Sequence, residues 1–297
     1  MKELLAMIKR NIKLFFKDKG MLFTALITPL ILLVLYITFL GNVYRDSFRP
    51  FLPEGLVEEK LIDALVGGQL ISSLLAVSCV TVSFCSNLLM VQDKVSGANK
   101  DFMISPVKKS TLAIGYYVAS FVSTLIICFV ALAVGLIYLG IVGWYLSFAD
   151  VVCLVADIIL TVMFGTAISS IIHVFLSSQG QISAVGSIVS SGYGFICGAY
   201  MPISSFGTTL QKIVSFLPGT YATSLFRNHA TGGVLLEMES IGVPQDVLVG
   251  IRDAIDSNVY FFGNQVSVGV MYAVLGVAVV LLMATYILVH KLRSKKK

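Results

Sequence analysis

The side chains that could do chemistry in this chain are few, and their spacing argues against catalysis. The three histidines, His173, His229 and His290, stand far apart and meet no metal-ligand spacing. The five cysteines, Cys79, Cys85, Cys128, Cys153 and Cys197, lie inside apolar stretches without a CxxC or Cys/His pattern, so they read as small packing residues. No Gly-x-x-x-x-Gly-Lys-Ser/Thr phosphate loop occurs, so the chain is not expected to bind ATP by itself. No paired-acid motif sits where a reaction could be run. The sequence therefore predicts no catalytic residue and no metal site, and the polar residues that remain must serve binding, gating or contact with a partner.

The elements that position them are set by composition. Of 297 residues, 57% are hydrophobic and 12% charged, and the mean hydropathy is +0.91. That leaves too few polar groups to cover a water-facing surface, which excludes a soluble enzyme, a disordered tail and a solvated repeat. The net charge of +5 comes from basic residues at the ends of apolar runs, not from a stripe interleaved with aromatics, so no nucleic-acid partner is expected. Uncharged runs over 20–44, 64–92, 110–149, 158–211 and 257–290 supply the membrane spans, each needing about 20 apolar residues. Ser177-Ser178-Gln179-Gly180-Gln181 breaks the fourth run into two helices, and Gly140, Gly143 and Trp144-Tyr145 end a single helix in the third. The expectation is an all-α integral membrane protein with six spans near 22–41, 67–91, 112–139, 151–176, 182–201 and 266–289.

Charge gives the orientation. The segments 1–20, 92–111 and 290–297 hold fifteen of the twenty-one Lys and Arg residues, which puts both termini in the cytoplasm by the positive-inside bias. The first apolar run is too long for a signal core and has no clean cleavage site, so it is expected to stay as the first span. Before it, Leu4, Leu5, Ile8, Ile12, Phe15 and Phe16 recur at helical spacing among Lys9, Lys13 and Lys17. This predicts an amphipathic helix over 1–20 lying on the inner leaflet, or else a charged tail that only orients the first span.

The cytoplasmic loop after the second span is too long and too patterned for a simple turn. Val95, Phe102 and Met103 form an apolar knob on a short helix that Pro106 would end. The run Asp93, Gly97, Phe102-Met103 and Ser105-Pro106 resembles the loop of the membrane-spanning permease of type-2 ATP-binding cassette (ABC) exporters. Ala98 stands where a small hydroxyl residue is usual in that family, and Asn99-Lys100 replaces an apolar-acidic pair. Beyond the fifth span, Gly198, Met201-Pro202, Phe216-Leu217-Pro218, Tyr221 and Arg227 are similar to the family's glycine and proline followed by a Pro with a nearby Tyr and Arg. Leu65-Val66-Gly67-Gly68-Gln69 approaches the ATPase signature Leu-Ser-Gly-Gly-Gln but lacks its serine and opens a span, the wrong context for that motif.

The resemblance implies one transmembrane domain over 1–297, with a coupling helix at 92–106 and a helical, partly re-entrant extracellular segment at 202–263. It implies a non-catalytic transporter half: two permease chains, identical or related, above two separate ATPase subunits that carry ATP and magnesium. Asp93, Val95, Gly97, Phe102, Met103, Ser105 and Pro106 would contact the ATPase. Pro202, Pro218, Tyr221 and Arg227 would belong to an extracellular gate. A bacterial-type plasma membrane is the expected location, and the weakly polar spans favour an amphiphilic cargo such as a drug, a peptide antibiotic or a lipid. A lipid-linked glycan exporter is the alternative within the family, and an ion-coupled secondary transporter the alternative outside it, although no internal repeat supports the latter.

Within the spans, Gly186, Ser190, Gly194 and Gly198 recur every four residues, giving a flat face suited either to packing within one subunit or to a dimer seam beside the pathway. Tyr193 would stand next to that pathway. Asp157 is the clear intramembrane acid, and either structural pairing or contact with cargo or a cation accounts for it. Asn87 has the same two readings, an interhelical hydrogen bond or a pathway contact.

Overall fold

The computed structural model describes residues 2–52, 57–98, 102 and 107–295. Helix α1 (Lys2–Lys17) is amphipathic. It buries Met7, Asn11 and Phe15 at four-residue intervals against the fifth helix, while its lysines face outward. The Asp18 carboxylate accepts from the backbone N–H groups of Gly20 and Met21 at 2.9 and 3.1 Å, an N-cap that separates α1 from α2 (Lys19–Leu35). α2 tolerates Pro29 and passes through a π-helical turn at Tyr36–Leu40 into α3 (Gly41–Phe48). The helical path therefore runs beyond the end at residue 41 that apolar periodicity predicted.

Helix α4 (Glu59–Val95) is the centre of the molecule. Its 37 residues are about 55 Å long at about 1.5 Å per residue, and α2, α5 (Lys109–Val142), α6 (Phe148–Phe175), α7 (Gln179–Ile196) and α9 (Pro218–Ser240) all pack on it. Small residues make this crowding possible. A Cβ at Gly68 would stand 2.6 Å from the Ala230 carbonyl oxygen of α9, and one at Gly165 of α6 would stand 2.9 Å from the Cys79 carbonyl oxygen of α4. The glycines of the Leu65–Gln69 stretch thus serve a helix crossing. Both α6 and α7 begin with reciprocal capping boxes, Ser147 with Asp150 and Ser178 with Gln181.

Between α7 and the last helix lie α8 (Thr208–Val214), α9, α10 (Gln245–Ala254) and an antiparallel hairpin of β1 (Val259–Phe261) with β2 (Asn264–Val266). The hairpin is an addition to the expected all-helical segment. Its turn, Phe262-Gly263, takes positive φ at both residues, the geometry that suits the twist of a two-residue hairpin. Helix α11 (Val268–Lys295) closes the chain against α6 and α9.

Among the described residues, five helical stretches are long and apolar enough to cross a membrane: Lys19–Asp46, Glu59–Val95, Ser110–Val142, Phe148–Phe175 and Val268–Val289. α7 occupies the position of the expected fifth span, but its 18 residues include two glutamines and it is not one of the five. The apolar surface faces outward on α2 and α11, where Phe23, Ile31, Val280 and Leu281 are all more than half exposed. A water-soluble bundle does not present such a surface.

Adding one methyl group at Gly68 or Gly165 (Gly→Ala) is expected to cost about 1–3 kcal/mol through overpacking. Gly276→Ala, which meets nothing within 4 Å, should stay within about 0.5 kcal/mol of wild type. Unfolding in detergent micelles reads the difference, and indistinguishable stability of all three variants would remove the close crossings as a requirement of the fold.

Candidate functional site

At the end of α4 two successive side chains reach in opposite directions. Asp93, buried, accepts two hydrogen bonds from the Arg10 guanidinium of α1, at 2.8 and 3.0 Å, and one from the Tyr116 hydroxyl of α5 at 2.5 Å. The bidentate pair is the strong form of this contact, and the Asp93 carboxylate holds the Arg10 proton more tightly than usual. Lys94 turns the other way, and its Nζ donates to the carbonyl oxygens of His173, Val174 and Leu176 at 2.8, 3.2 and 3.3 Å. A cation there satisfies the orphan carbonyls at the end of α6 and complements its dipole. Arg10 also lies over the Phe102 ring, 5.0 Å from its centroid.

Val95 ends α4 half exposed, and Gly97 follows at φ +84. Met103, Ser105 and Pro106, the remaining expected contacts of this loop, lie outside the described residues. None of the partners of Asp93 and Lys94 was legible from motif spacing. A single arginine among the lysines of α1 was the available signal for Arg10.

About two to three turns back along α4, hydroxyl and amide groups join three helices. Asn87 donates from Nδ2 to the hydroxyls of Ser169 and Ser170 at 2.7 and 2.8 Å, and its Oδ1 accepts from the Ser120 hydroxyl at 3.0 Å. Ser86 pairs with Thr124 at 3.0 Å, and Ser83 with Thr166 at 3.3 Å. The interhelical bond expected of Asn87 is therefore present, with α5 on one side and α6 on the other.

Beside this belt, α2 and α7 both pack on α4 and leave a cavity of about 480 Å³ between them. Gly186 and Ser190 line it. The other members of the expected flat face do not. Gly194 is buried under the Tyr200 ring, where a Cβ would come within 2.3 Å, while Tyr193 packs its hydroxyl toward Gly219. Gly198 lies beyond the end of α7 at φ +78, so the four small residues do not share one helix face. The chain leaves the helix at Ile196 because Tyr200 folds back and donates to the Ser190 carbonyl at 3.2 Å, a return path that a helix running to residue 201 would forbid.

The opposite end of the bundle is tied by ionic contacts. Arg227, fully buried on α9, donates to the Asp256 carboxylate at 3.0 Å and to the Gly198 carbonyl at 2.6 Å. Asp256 also accepts from the backbone N–H of Ile203 at 2.7 Å. Burial pushes the Asp256 carboxyl above its ordinary range, while Arg227 and the N–H groups of Ile203 and Ser204 act in the opposite sense. Pro202 precedes the short helical turn at Ile203–Ser205, Pro218 opens α9, and the Tyr221 hydroxyl donates to the Ser215 carbonyl at 2.6 Å. Arg227 and its partners thus pin the return from α7 against α9 and α10.

Asp157, fully buried on α6, accepts from Tyr272 of α11 at 2.6 Å and stands 2.6 Å from Nδ1 of His229 on α9. Spacing could not foresee this, since His229 is 72 residues away in the chain and Tyr272 is 115. The geometry accounts for Asp157 as a link among three helices. Among the described residues, no reacting constellation of nucleophile, base and oxyanion donors accompanies it.

Residues 2–229 match the family described as ABC-2 type transporter. No curated protein matches the chain.

Because Arg227 and Asp256 form an ion pair in a dry site, Arg227→Met should cost about 3–5 kcal/mol by leaving Asp256 unpaired. Combining it with Asp256→Asn should recover part of that loss in a denaturation series in micelles. Strict additivity of the two single effects would mean that the residues do not interact.

Proposed function

The chain belongs to the ABC-2 type transporter family as a multi-pass permease subunit, and from that premise we propose that it exports an amphiphile across a bacterial-type plasma membrane. In this reading two permease chains, identical or related, sit on two cassette ATPases, and ATP with magnesium is bound and hydrolysed on those partners. The chain then crosses the membrane six times, with α7 as the short fifth span, both termini cytoplasmic, α1 on the inner leaflet and residues 202–263 outside. The excess of Lys and Arg in 1–20, 92–111 and 290–297 supports this orientation.

The observation that carries the reading is the pair of contacts at the root of the loop after α4. A push on residues 96–108 is delivered to Asp93 and Lys94. These join α4 to α1 and α5 on one side and to α6 on the other. Four helices therefore respond as one body, which is what a separate motor subunit needs if closure on ATP is to bias the permease between two states. The 480 Å³ cavity between α2 and α7, more apolar than polar in its lining, opens on the same end of the bundle. It suits a cargo with a polar head and an apolar body better than a long glycan.

Two tests follow. Phe102→Glu should leave the permease inserted and abolish cargo-stimulated hydrolysis by co-purified cassette ATPase. Lys94→Met, which keeps the loop but cuts its tie to α6, should retain the ATPase and lose the stimulation; full stimulation in both variants would sink the assigned coupling route. For orientation, a reporter at Ser240 (Ser240→Cys) in a cysteine-free background should react with an impermeant maleimide on intact cells. Reaction only in inverted vesicles would reverse the topology.

A further inference from the structure

Phe262 stands where a side chain of its kind is out of place. It is the first residue of the two-residue turn between β1 and β2 and takes φ +49, with Gly263 after it at φ +86. Such turns favour Asn, Asp or Gly there, because a bulky side chain is strained at positive φ. The ring is also 57% exposed, and Phe216 and Phe261 are exposed by 61% and 37%. The three rings meet edge to face, with centroids 4.9, 5.2 and 5.8 Å apart. Along α8, Leu210 and Ile213 continue the exposed apolar surface at three-residue spacing from Phe216. A strained backbone position given to an exposed aromatic, inside a cluster of exposed aromatics, points to contact with something beyond the chain.

The hairpin holds two of the rings rigidly, and its root fixes their height. The Tyr260 hydroxyl and Asn258 Nδ2 both donate to Asp253 Oδ1, at 3.0 and 2.7 Å, and Gln265 Nε2 donates to Asn258 Oδ1 at 2.7 Å. Val259 is buried in the same apolar cluster as Met271 and Leu275 of α11. β2 ends at Val266, and the apolar stretch Val268–Val289 begins two residues later. Those 22 residues are about 33 Å long at about 1.5 Å each, against about 30 Å of hydrocarbon, so Val268 lies at the edge of the hydrocarbon core. A strand of this length reaches about 10 Å, which keeps the rings near that edge, where aromatic side chains collect in membrane proteins. We infer that Phe216, Phe261 and Phe262 form an anchor seated where headgroups meet acyl chains, with phospholipid of the outer leaflet as its partner. Phe261 and Phe262 lie beyond the residues that match the family, whereas Phe216 lies within them. The anchor therefore ties the turn between α8 and α9 to the bilayer through an added hairpin.

That the leaflet is the outer one rests on the orientation proposed above, whereas the contact with lipid does not. The chain has one tryptophan, Trp144, so Trp144→Phe combined with Phe216→Trp or with Phe262→Trp gives a full chain with a single indole. Each is reconstituted into vesicles of phosphatidylcholine or of its brominated analogue, with iodide on both sides as the aqueous quencher. Both indoles should lose most of their emission to brominated lipid, more with bromine near the headgroup than near the chain end, and resist iodide. Adding Phe262→Asn to the Phe216→Trp reporter suits the turn and keeps the hairpin but removes one ring, so quenching by brominated lipid should fall and quenching by iodide should rise. Emission lost to iodide and not to brominated lipid would place the cluster in water and overturn the inference. Resistance to both would bury it under protein, as a second copy of the chain would, and would overturn it as well. Lipid-quenched indoles with Ser240→Cys reacting only in inverted vesicles would keep the lipid contact and reverse the orientation alone.

Discussion

A helix buried along nearly its whole length inside a lipid-facing bundle must satisfy its polar groups within the protein, and that constraint on α4 governs much of the rest of the structure. Ser72, Thr81, Ser83, Ser86 and Asn87 find partners on α5 and α6 or on the carbonyls of their own helix, whereas Ser78 and the Gln69 amide have none among the described residues. Each such bond in a membrane protein contributes only about 0.6 kcal/mol on average, so the belt is weak as a source of stability. Its effect is on register. Apolar packing tolerates sliding of one helix on another, whereas Asn87, held by Ser120, Ser169 and Ser170 together, fixes α4 relative to both neighbours. Gly68 and Gly165 add the steric half of the same requirement, since the backbones they face leave no room for a side chain.

With α4 held this way, its two ends differ in kind. The end that leads into residues 96–108 is braced by a bidentate ion pair and by a lysine on a helix terminus. Arg10 is about one-third exposed in that pair. Its worth to stability is correspondingly discounted by solvent, and its value lies in joining elements. The Arg227 pair at the opposite end is dry, so breaking it carries a much larger penalty than making it returned. The joint beside the loop is therefore the softer of the two, and the one at the opposite end the stiffer.

The sequence made the helices legible because each rests on a local property. Apolar runs and the turn residues around 177–181 locate α6 and the start of α7 to within a few residues. α5 runs through Gly140 to Val142, three residues past the expected end, and Gly143 caps it. The misjudged stretch, Ile196 to Gly198, shows the limit of periodicity. A four-residue repeat of small side chains continues past the end of α7, and it takes the ring of Tyr200 packed on Gly194 to terminate the helix. That contact lies within one short stretch, but no propensity rule announces it. The polar clusters were legible only as single residues. Asp157 and Asn87 stand out because a membrane makes each costly, whereas their partners are ordinary-looking histidine, tyrosine and serines brought together across 33 to 115 residues of chain.

His229 and His173 illustrate how position decides chemistry where residue type does not. His229 meets Asp157, and its ring stacks near Tyr272 at 6.1 Å, so its polar capacity is spent inside the bundle. His173 spends one nitrogen on its own helix and keeps the other. Desolvation makes that difference matter. An idle acceptor on a wet surface is satisfied by water, while one sealed inside the bundle keeps the desolvation penalty of an unpaired group.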